Sequence, residues 1–172
     1  MNDGLFSQQF KTIKNNNMVD LQDEIQLTKW ANVVYDIIGA AMEVHTTLGF
    51  GLSEGVYEES LGIELGELGY EYMTQCDLPT YYKGILLDKH FRLDMVVEDD
   101  IVIELKAVEK VLPEHRAQLF NYLRLTKKPV GVLINFGKSL YSEKYIYDED
   151  ANTVTFFNIK HTRGAYSLDD FE

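Results

Sequence analysis

Residues 90–108 read HFRLDMVVEDDIVIELKAV, and the fold turns on how this run is divided. Two apolar segments flank Glu98-Asp99-Asp100, an acidic cluster of the kind that marks a turn between strands. Successive strand residues point to opposite faces. Leu93, Met95 and Val97 then share one face of the first strand, and Arg92, Asp94 and Val96 the other. On the second strand Ile101, Ile103 and Leu105 share a face, and Val102, Glu104 and Lys106 share the opposite one. If the acidic cluster closes an antiparallel hairpin, Asp94 stands directly opposite Glu104, with Cβ atoms about 4.5–5.5 Å apart. Two carboxylates at that separation repel each other and destabilise a bare hairpin. A bound cation removes the objection, and oxygen ligands of this kind suit Mg²⁺ or Mn²⁺. Lys106 leans over the same face and supplies a fixed positive charge beside the metal. The plain alternative is that Asp94, Glu104 and Lys106 are the solvent face of an exposed hairpin, because Glu-x-Lys is a frequent accident. Against it, both strands are too apolar for an exposed ribbon, which favours burial of much of both faces.

Outward from this hairpin, the chain reads as helices and strands in alternation. Residues Met1 to about Thr28 are polar, with an Asn15-Asn16-Asn17 run, and form an N-terminal extension in which Leu21 and Ile25 hint at a weak helix. From Trp30 to Leu48, Val34, Ile37, Ile38, Ala41, Val44 and Leu48 recur at helical spacing. His45, near the end of this helix, suits the helix dipole better than a ligand role. Gly49-Phe50-Gly51 breaks the helix, and Ser53 is placed to cap the next one. That helix runs from about Glu54 to Leu68, with Val56, Leu61, Leu65 and Leu68 as its apolar stripe and Gly69 closing it. Glu54, Tyr57 and Glu58 share one of its faces.

Tyr70–Gln75 and Thr80–Leu87 are strand candidates, the second divisible into two short strands around Lys83-Gly84. After the hairpin, Pro113 opens a helix over Glu114 to about Leu125, with Gln118 and Tyr122 on one face. Pro129–Phe136 is a continuous apolar run that suits a buried strand. The passage from the hairpin through the helix to this strand is a βαβ unit. Tyr141–Tyr147 and Thr153–Ile159 form a further hairpin around Asp148–Asn152, and the residues from about His161 form a tail.

Composition narrows the class. The 172 residues suit one domain with extensions. A single cysteine, Cys76, rules out an intrachain disulfide and a Cys-based zinc cluster, and fits a reducing compartment. No apolar run is long enough to span a bilayer, and the N-terminus lacks a signal-peptide core, so a cytoplasmic protein without membrane association is expected. The formal net charge of -12 opposes simple binding to nucleic acid, because phosphates call for Lys and Arg. Solvated acidic clusters at Glu98–Asp100, Asp148–Asp150 and Asp169–Glu172 carry much of that charge.

The order of helix, strands, Asp and Glu-x-Lys hairpin, Gln-bearing helix and strand resembles the αβββαβ core of the PD-(D/E)XK nuclease superfamily. More closely, the chain resembles its GxxExxY group. The residues that carry the resemblance are Gly51-Leu-Ser-Glu54-Gly-Val-Tyr57, Tyr82-Lys83-Gly84, Asp94, Glu104-Leu105-Lys106, Gln118-Leu-Phe-Asn-Tyr122-Leu123 and Asn135-Phe136-Gly137. Leu93 stands where the superfamily's leading proline is found. The likeness runs from about Trp30 to Lys138.

This resemblance implies an α/β, restriction-endonuclease-like domain over 29–160. A mixed central sheet is flanked by helices and followed by an extra β-hairpin, between an extension over 1–28 and a tail over 161–172. It implies that Asp94 and Glu104 hold Mg²⁺ or Mn²⁺ with the Leu105 carbonyl, and that Glu54 adds a further acid, directly or through water. Lys106 would orient or activate the attacking water and offset charge on phosphorus, and Gln118 would fix Lys106 or that water. Tyr57 and Tyr122 would support the site. The function implied is a metal-dependent nuclease that hydrolyses phosphodiester bonds, in DNA rather than RNA. Two competing readings are a nuclease-fold binding or scaffolding protein without cleavage activity, and a metal-dependent hydrolase of a small phosphorylated molecule. The last lacks any phosphate-binding fingerprint. Oligomeric state is open, a homodimer included.

Overall fold

The 90–108 run folds as the antiparallel pair that its alternation predicts. Met95 faces Ile103, Val96 faces Val102 and Val97 faces Ile101. The pairing ends at Met95, and the next residue back along the strand, Asp94, reaches the second strand through its side chain, whose Oδ2 accepts the Leu105 N–H. The Glu98–Asp100 turn places Glu98 and Asp99 at left-handed φ values of 51° and 60°. Side-chain bonds hold it from outside. The Trp30 indole N–H donates to Asp100 Oδ2 at 2.9 Å, and Lys128 Nζ donates to Asp99 Oδ1 at 2.8 Å.

The structure, a computed structural model, describes residues 21–156, 159–162 and 165–168, with side chains over 28–156. The elements in chain order are α1 (Leu21–Leu48), α2 (Glu54–Glu67), β1 (Tyr72–Leu78), β2 (Tyr81–Tyr82), β3 (Ile85–Leu86), β4 (Phe91–Val97) and β5 (Ile101–Lys106). They continue as α3 (Pro113–Thr126), β6 (Val130–Phe136), β7 (Leu140–Asp148), β8 (Thr153–Phe156), β9 (Ile159–Thr162) and β10 (Ala165–Leu168). Six strands form one mixed sheet in the order β1-β4-β5-β6-β7-β8. Only the β5–β6 pairing is parallel, across the α3 crossover, and every other neighbour in this sheet is antiparallel. With β2 and β3 set aside as a separate ribbon, α2-β1-β4-β5-α3-β6 is the expected αβββαβ order, and the fold is restriction-endonuclease-like.

The sheet is buried on both faces, as its apolar strands require. On one face Met95, Val97, Ile101, Ile103, Leu105 and the alternate residues of β6 pack under α1 and α2. On the other, Val96, Val102, Leu133, Tyr145 and Tyr147 pack under Leu119, Tyr122 and Leu123 of α3. Gly131 on β6 lets α3 come close: a Cβ there would stand 2.8 Å from Leu123 Cδ1.

Several boundaries differ from the sequence reading. Helix α1 begins at Leu21, inside the segment read as an extension, while residues 1–20 lie outside the described ones. In α2 the buried stripe is Tyr57, Leu61 and Leu65 at four-residue intervals, whereas Val56 and Leu68 are exposed. Tyr57 therefore belongs to the core, because its ring stacks on Phe136 at 4.3 Å. Ser53 occupies the N-cap position of α2 without a side-chain cap bond. Leu93 does not share the face of Met95 but packs in the α3-side cluster with Cys76. The cause is a kink across two strands. Gln75 on β1 has φ 50°, the paired register skips Gln75 and Asp94, and the β4–β5 ladder stops at Met95. The tail read from His161 includes paired strands, since β9 and β10 form a two-stranded antiparallel ribbon. Residues 163–164 and 169–172 of that tail lie outside the described ones.

Leu123→Ala removes a fully buried side chain between α3 and β6. It is expected to destabilise the domain by about 2–5 kcal/mol in urea unfolding. Leu125→Ala, on the exposed side of the same helix, should stay within about 0.5 kcal/mol of wild type.

Candidate active site

The site is built at the end of β5. Its even positions face α3, so Glu104 enters the apolar layer under that helix and is fully buried. Lys106, two residues on, points the same way and donates a short hydrogen bond from Nζ to Glu104 Oε1. Asp94 comes from β4, where the ladder stops. Its Oδ2 accepts the Leu105 N–H at 2.8 Å, a bond that a strand neighbour would otherwise make. From the α2 side, Glu54 Oε1 accepts the Ala107 N–H at 3.4 Å. From α3, Gln118 Nε2 donates to the Tyr122 hydroxyl at 2.9 Å, and the charges of Glu104, Asp94 and Lys106 all act on Tyr122. Asp94, Glu104, Lys106 and Glu54 are thus brought together, with Tyr122 beside them and Gln118 joined through it. Tyr57 stands apart. Its hydroxyl donates to Gly49 O at 2.9 Å and accepts from the Leu52 N–H at 3.2 Å, so it fastens the α1–α2 turn from which Glu54 projects.

Two buried glutamates on this sheet face make the decisive comparison. The register aligns Glu104 with Leu133 and Leu133 with Glu143, so the two carboxyls flank Leu133 on neighbouring strands. Glu143 is fully provided for. Arg116 reaches both of its oxygens, with Nε to Oε2 at 2.8 Å and Nη2 to Oε1 at 2.5 Å. The hydroxyls of Tyr141 and Tyr145 donate to it at 2.7 and 2.6 Å. Burial pushes its acidity the other way, but these partners outweigh it and hold the carboxyl below the ordinary range. Among the described residues Glu104 has only Lys106, and its Oε2 is a buried oxygen with no hydrogen-bond partner there. Burial, with the Asp94 carboxylate beside it, pushes Glu104 up to about 7 despite Lys106. Burial likewise raises Asp94, against the Leu105 N–H and Lys106. Burial would lower Lys106, yet the bond to Glu104 and the charges of Glu104, Glu54 and Asp94 hold it above its usual value, so it remains an ammonium ion.

Residues without an assigned role in the sequence reading complete the surroundings. Glu58, one turn after Glu54, lies close enough for the Asp94 charge to raise it, second to burial and against a 2.5 Å bond from Gln75 Nε2. The i, i+4 spacing from Glu54 was the visible sign. Asn135 clamps the exit of β5: its Oδ1 accepts from the Val108 N–H, and its Nδ2 donates to Val108 O, both at 2.9 Å. A lone amide inside an apolar strand must find such partners. His45 bonds Gly137 O at 2.8 Å, and His115 Nδ1 accepts the Leu112 N–H at 3.1 Å, so both serve local structure. Cys76 lies outside the group, packed near Leu93.

A cation fits this donor set in chemical terms. A buried carboxylate oxygen without a partner, a second carboxylate facing it and the nearby Leu105 backbone are hard oxygen donors. Among the described residues, no three of His, Cys, Asp and Glu converge as a ready metal cluster. A pair of carboxylates completed by a carbonyl and water is what the residues present would offer.

The raised acidity of Glu104 has a stability consequence in the metal-free protein. Between its ordinary value of 4.5 and about 7 the folded state holds a proton that the unfolded state has released. Stability therefore falls as pH rises through this window, by at most about 1.4 kcal/mol per pH unit. Urea midpoints at pH 5 and pH 7.5 should show this slope, and Glu104→Gln should reduce it to what the other raised carboxyls, Asp94 and Glu58, contribute.

A family model described as the PD-(D/E)XK nuclease superfamily matches residues 31–146. No curated protein matches the chain. Among solved structures, one reported as "Crystal structure of SSO0001" is similar at 23% sequence identity with a TM-score of 0.43, covering 57% of this chain and 53% of that one. The match thus spans about half the length of that chain. No helix of the described residues is long and apolar enough to cross a membrane. The family match takes in both helical layers, the Asp94–Glu104 pair, Lys106 and Gln118, and by it the chain belongs to the PD-(D/E)XK nuclease superfamily.

Proposed function

We propose that this chain is a metal-dependent nuclease of the GxxExxY group, hydrolysing phosphodiester bonds in DNA rather than RNA. The observation that carries the reading is Glu104. Leaving a buried oxygen unpaired costs about 1–3 kcal/mol. The same sheet face carries Glu143 with every oxygen satisfied, so the fold can complete such a group and does not do so at Glu104. Asp94, Glu104 and the Leu105 carbonyl would hold Mg²⁺ or Mn²⁺, with Glu54 directly or through water. When bound, such an ion supplies polarisation of the phosphoryl oxygen, a more acidic water and stabilisation of the leaving oxygen.

The chain's own residues set the rest. In the metal-free protein the bond to Glu104 and the surrounding carboxylates hold Lys106 protonated, as a donor and a fixed charge. It would orient the attacking water and offset negative charge gathering on the phosphoryl oxygens. Glu104 anchors that ammonium in place. Gln118, tethered to Tyr122, would fix the water or Lys106 from the α3 side. Tyr57 and Asn135 act at a distance from the chemistry: one fastens the turn that projects Glu54, and the other fixes the end of β5.

A nuclease-fold binding protein without cleavage activity is the second reading. It is favoured by the net charge of -12 and by the absence of a three-acid cluster among the described residues. Cleavage decides between them. End-labelled DNA should be cut with Mg²⁺ or Mn²⁺ and left intact in EDTA. Asp94→Ala and Lys106→Ala should each lower the rate by about 10²-fold or more, the scale of losing one preorganised charge. Cutting that survives both substitutions contradicts the assignment, and no cutting on any substrate favours the second reading.

A further inference from the structure

The hairpin β2–β3 takes no part in the core. Tyr81 pairs with Leu86 and Tyr82 with Ile85 across a two-residue turn, where Lys83 and Gly84 have φ values of 50° and 79°. Adjacent strand residues point to opposite faces. Tyr81 and Leu86 therefore lie on one face of the ribbon and Tyr82 and Ile85 on the other, at 64%, 57%, 63% and 68% exposure. A lone two-stranded hairpin is at best marginally stable in water. An arm that is apolar on both faces calls for a cover that encloses it, and such exposed apolar surface marks an interaction site. Its surroundings are basic: residues 79–92 hold Lys83, Lys89, His90 and Arg92 against Asp88 alone. Lys83, at the tip, makes no ion pair among the described residues, and its Nζ stands 5.5 Å from the Tyr82 ring centroid.

A cleft of about 370 Å³ between α1 and α2 has the opposite character. Asp36, Glu43, Glu64 and Glu67 line it together with Ala40 and Leu68. None of the four acids has an ion-pair partner among the described residues. Their like charges repel one another, which a basic insert relieves. The acids by themselves select nothing beyond positive charge. The arm matches the cleft in both charge and apolar character.

Arm and cleft lie at opposite ends of β1. Tyr70, two residues before that strand, donates its hydroxyl to Asp36 Oδ2 at 2.5 Å and so sets the cleft beside the strand's start. The arm leaves after Leu78, where β1 ends against Phe91. The seven residues of β1 span about 20 Å. The arm projects only about 10 Å, so it does not reach the cleft of its own chain. β1 is also an outer strand of the sheet. Two copies lying antiparallel along their β1 edges set the end of each strand against the start of the other. Each arm then meets the other copy's cleft, in the self-complementary contact of a two-fold dimer. The kink at Gln75 blunts the strand edge, so arms and clefts supply the contact instead of a continuous sheet. Covering the four arm side chains removes on the order of 400 Å² per copy. With the cleft surface covered in return, two such contacts come to about 1,600 Å², the size of a stable interface. Because each copy carries a net charge of -12, association has to bring opposite charges together locally, and this pairing does.

We propose that the chain forms a two-fold dimer in which the β2–β3 arm of each copy inserts between α1 and α2 of the other, with Lys83 against the cleft acids. The contact uses none of the residues of the carboxylate site and holds whether or not the chain cleaves nucleic acid.

The test is analytical ultracentrifugation of the full chain across the micromolar range. The wild type should be a dimer. Lys83→Glu, and separately Tyr82→Ser with Ile85→Ser, should each raise the dimer dissociation constant by at least about tenfold. Glu64→Lys with Glu67→Lys should do the same from the cleft side. Combining Lys83→Glu with Glu64→Lys and Glu67→Lys should restore the dimer, because the contact is then paired again with its charges reversed. None of these side chains is buried, so circular dichroism should show every variant folded. A monomeric wild type overturns the proposal and leaves both surfaces to a different protein. A dimer unchanged by the arm substitutions overturns it as well. So does a dimer that the arm variants dissociate and the cleft variants do not, or one that the charge exchange fails to restore, because the arm then docks elsewhere.

Discussion

A buried glutamate with one partner missing is the constraint from which the rest of this molecule can be understood. Glu104 lies in the middle strand region of a sheet covered on both faces, where an ionised carboxyl is costly unless paired. Lys106 answers one oxygen and leaves the other without a donor. Asp94, close enough for its charge to act on Glu104, adds a second negative charge instead of relief. Two strands away the fold does complete such a group, where Arg116, Tyr141 and Tyr145 satisfy Glu143. On the proposed reading, a cation would complete that unfinished shell.

The supporting structure keeps that shell in position. β4 gives up its ladder after Met95, so that Asp94 can take the Leu105 N–H with its side chain. The same kink swings Leu93 to the α3 face. Asn135 holds Val108 by both of its polar groups, and Glu54 takes the Ala107 N–H, so the strand end beyond Lys106 is tied from two sides. Tyr57 couples the α1–α2 turn to the Phe136 ring, and thus links the helix that carries Glu54 to the strand beside β5. Each of these bonds constrains a backbone segment next to the carboxyl pair.

Much of this was legible in the sequence because the period-two alternation over 90–108 is strong and the turn residues between its halves are unambiguous. Side-chain direction alone brought Asp94 to Glu104 and Lys106 to the same face. Proline at 113, the Lys83-Gly84 turn and the apolar run over 130–136 likewise carried their own local signals. What escaped depends on contacts between distant segments. The exposure of Val56 and Leu68 follows from how α2 lies on the sheet, and Tyr57 fills the stripe because Phe136 is there to meet it. Leu93 breaks the alternation because two strands kink together at Gln75 and Asp94. The contrast between Glu104 and Glu143 was invisible, since both are glutamates on strands and their partners, which separate them, come from distant segments.

Calorimetric titration with Mn²⁺ at pH 8 and pH 6 tests the central claim most directly. The metal must displace the proton that Glu104 holds up to about 7, so the affinity should be higher at pH 8 and about tenfold weaker for each pH unit below that point. Glu104→Gln, which keeps the shape of the side chain and removes its charge, should abolish binding at both pH values. Mn²⁺ binding that is unchanged in Glu104→Gln would contradict the account.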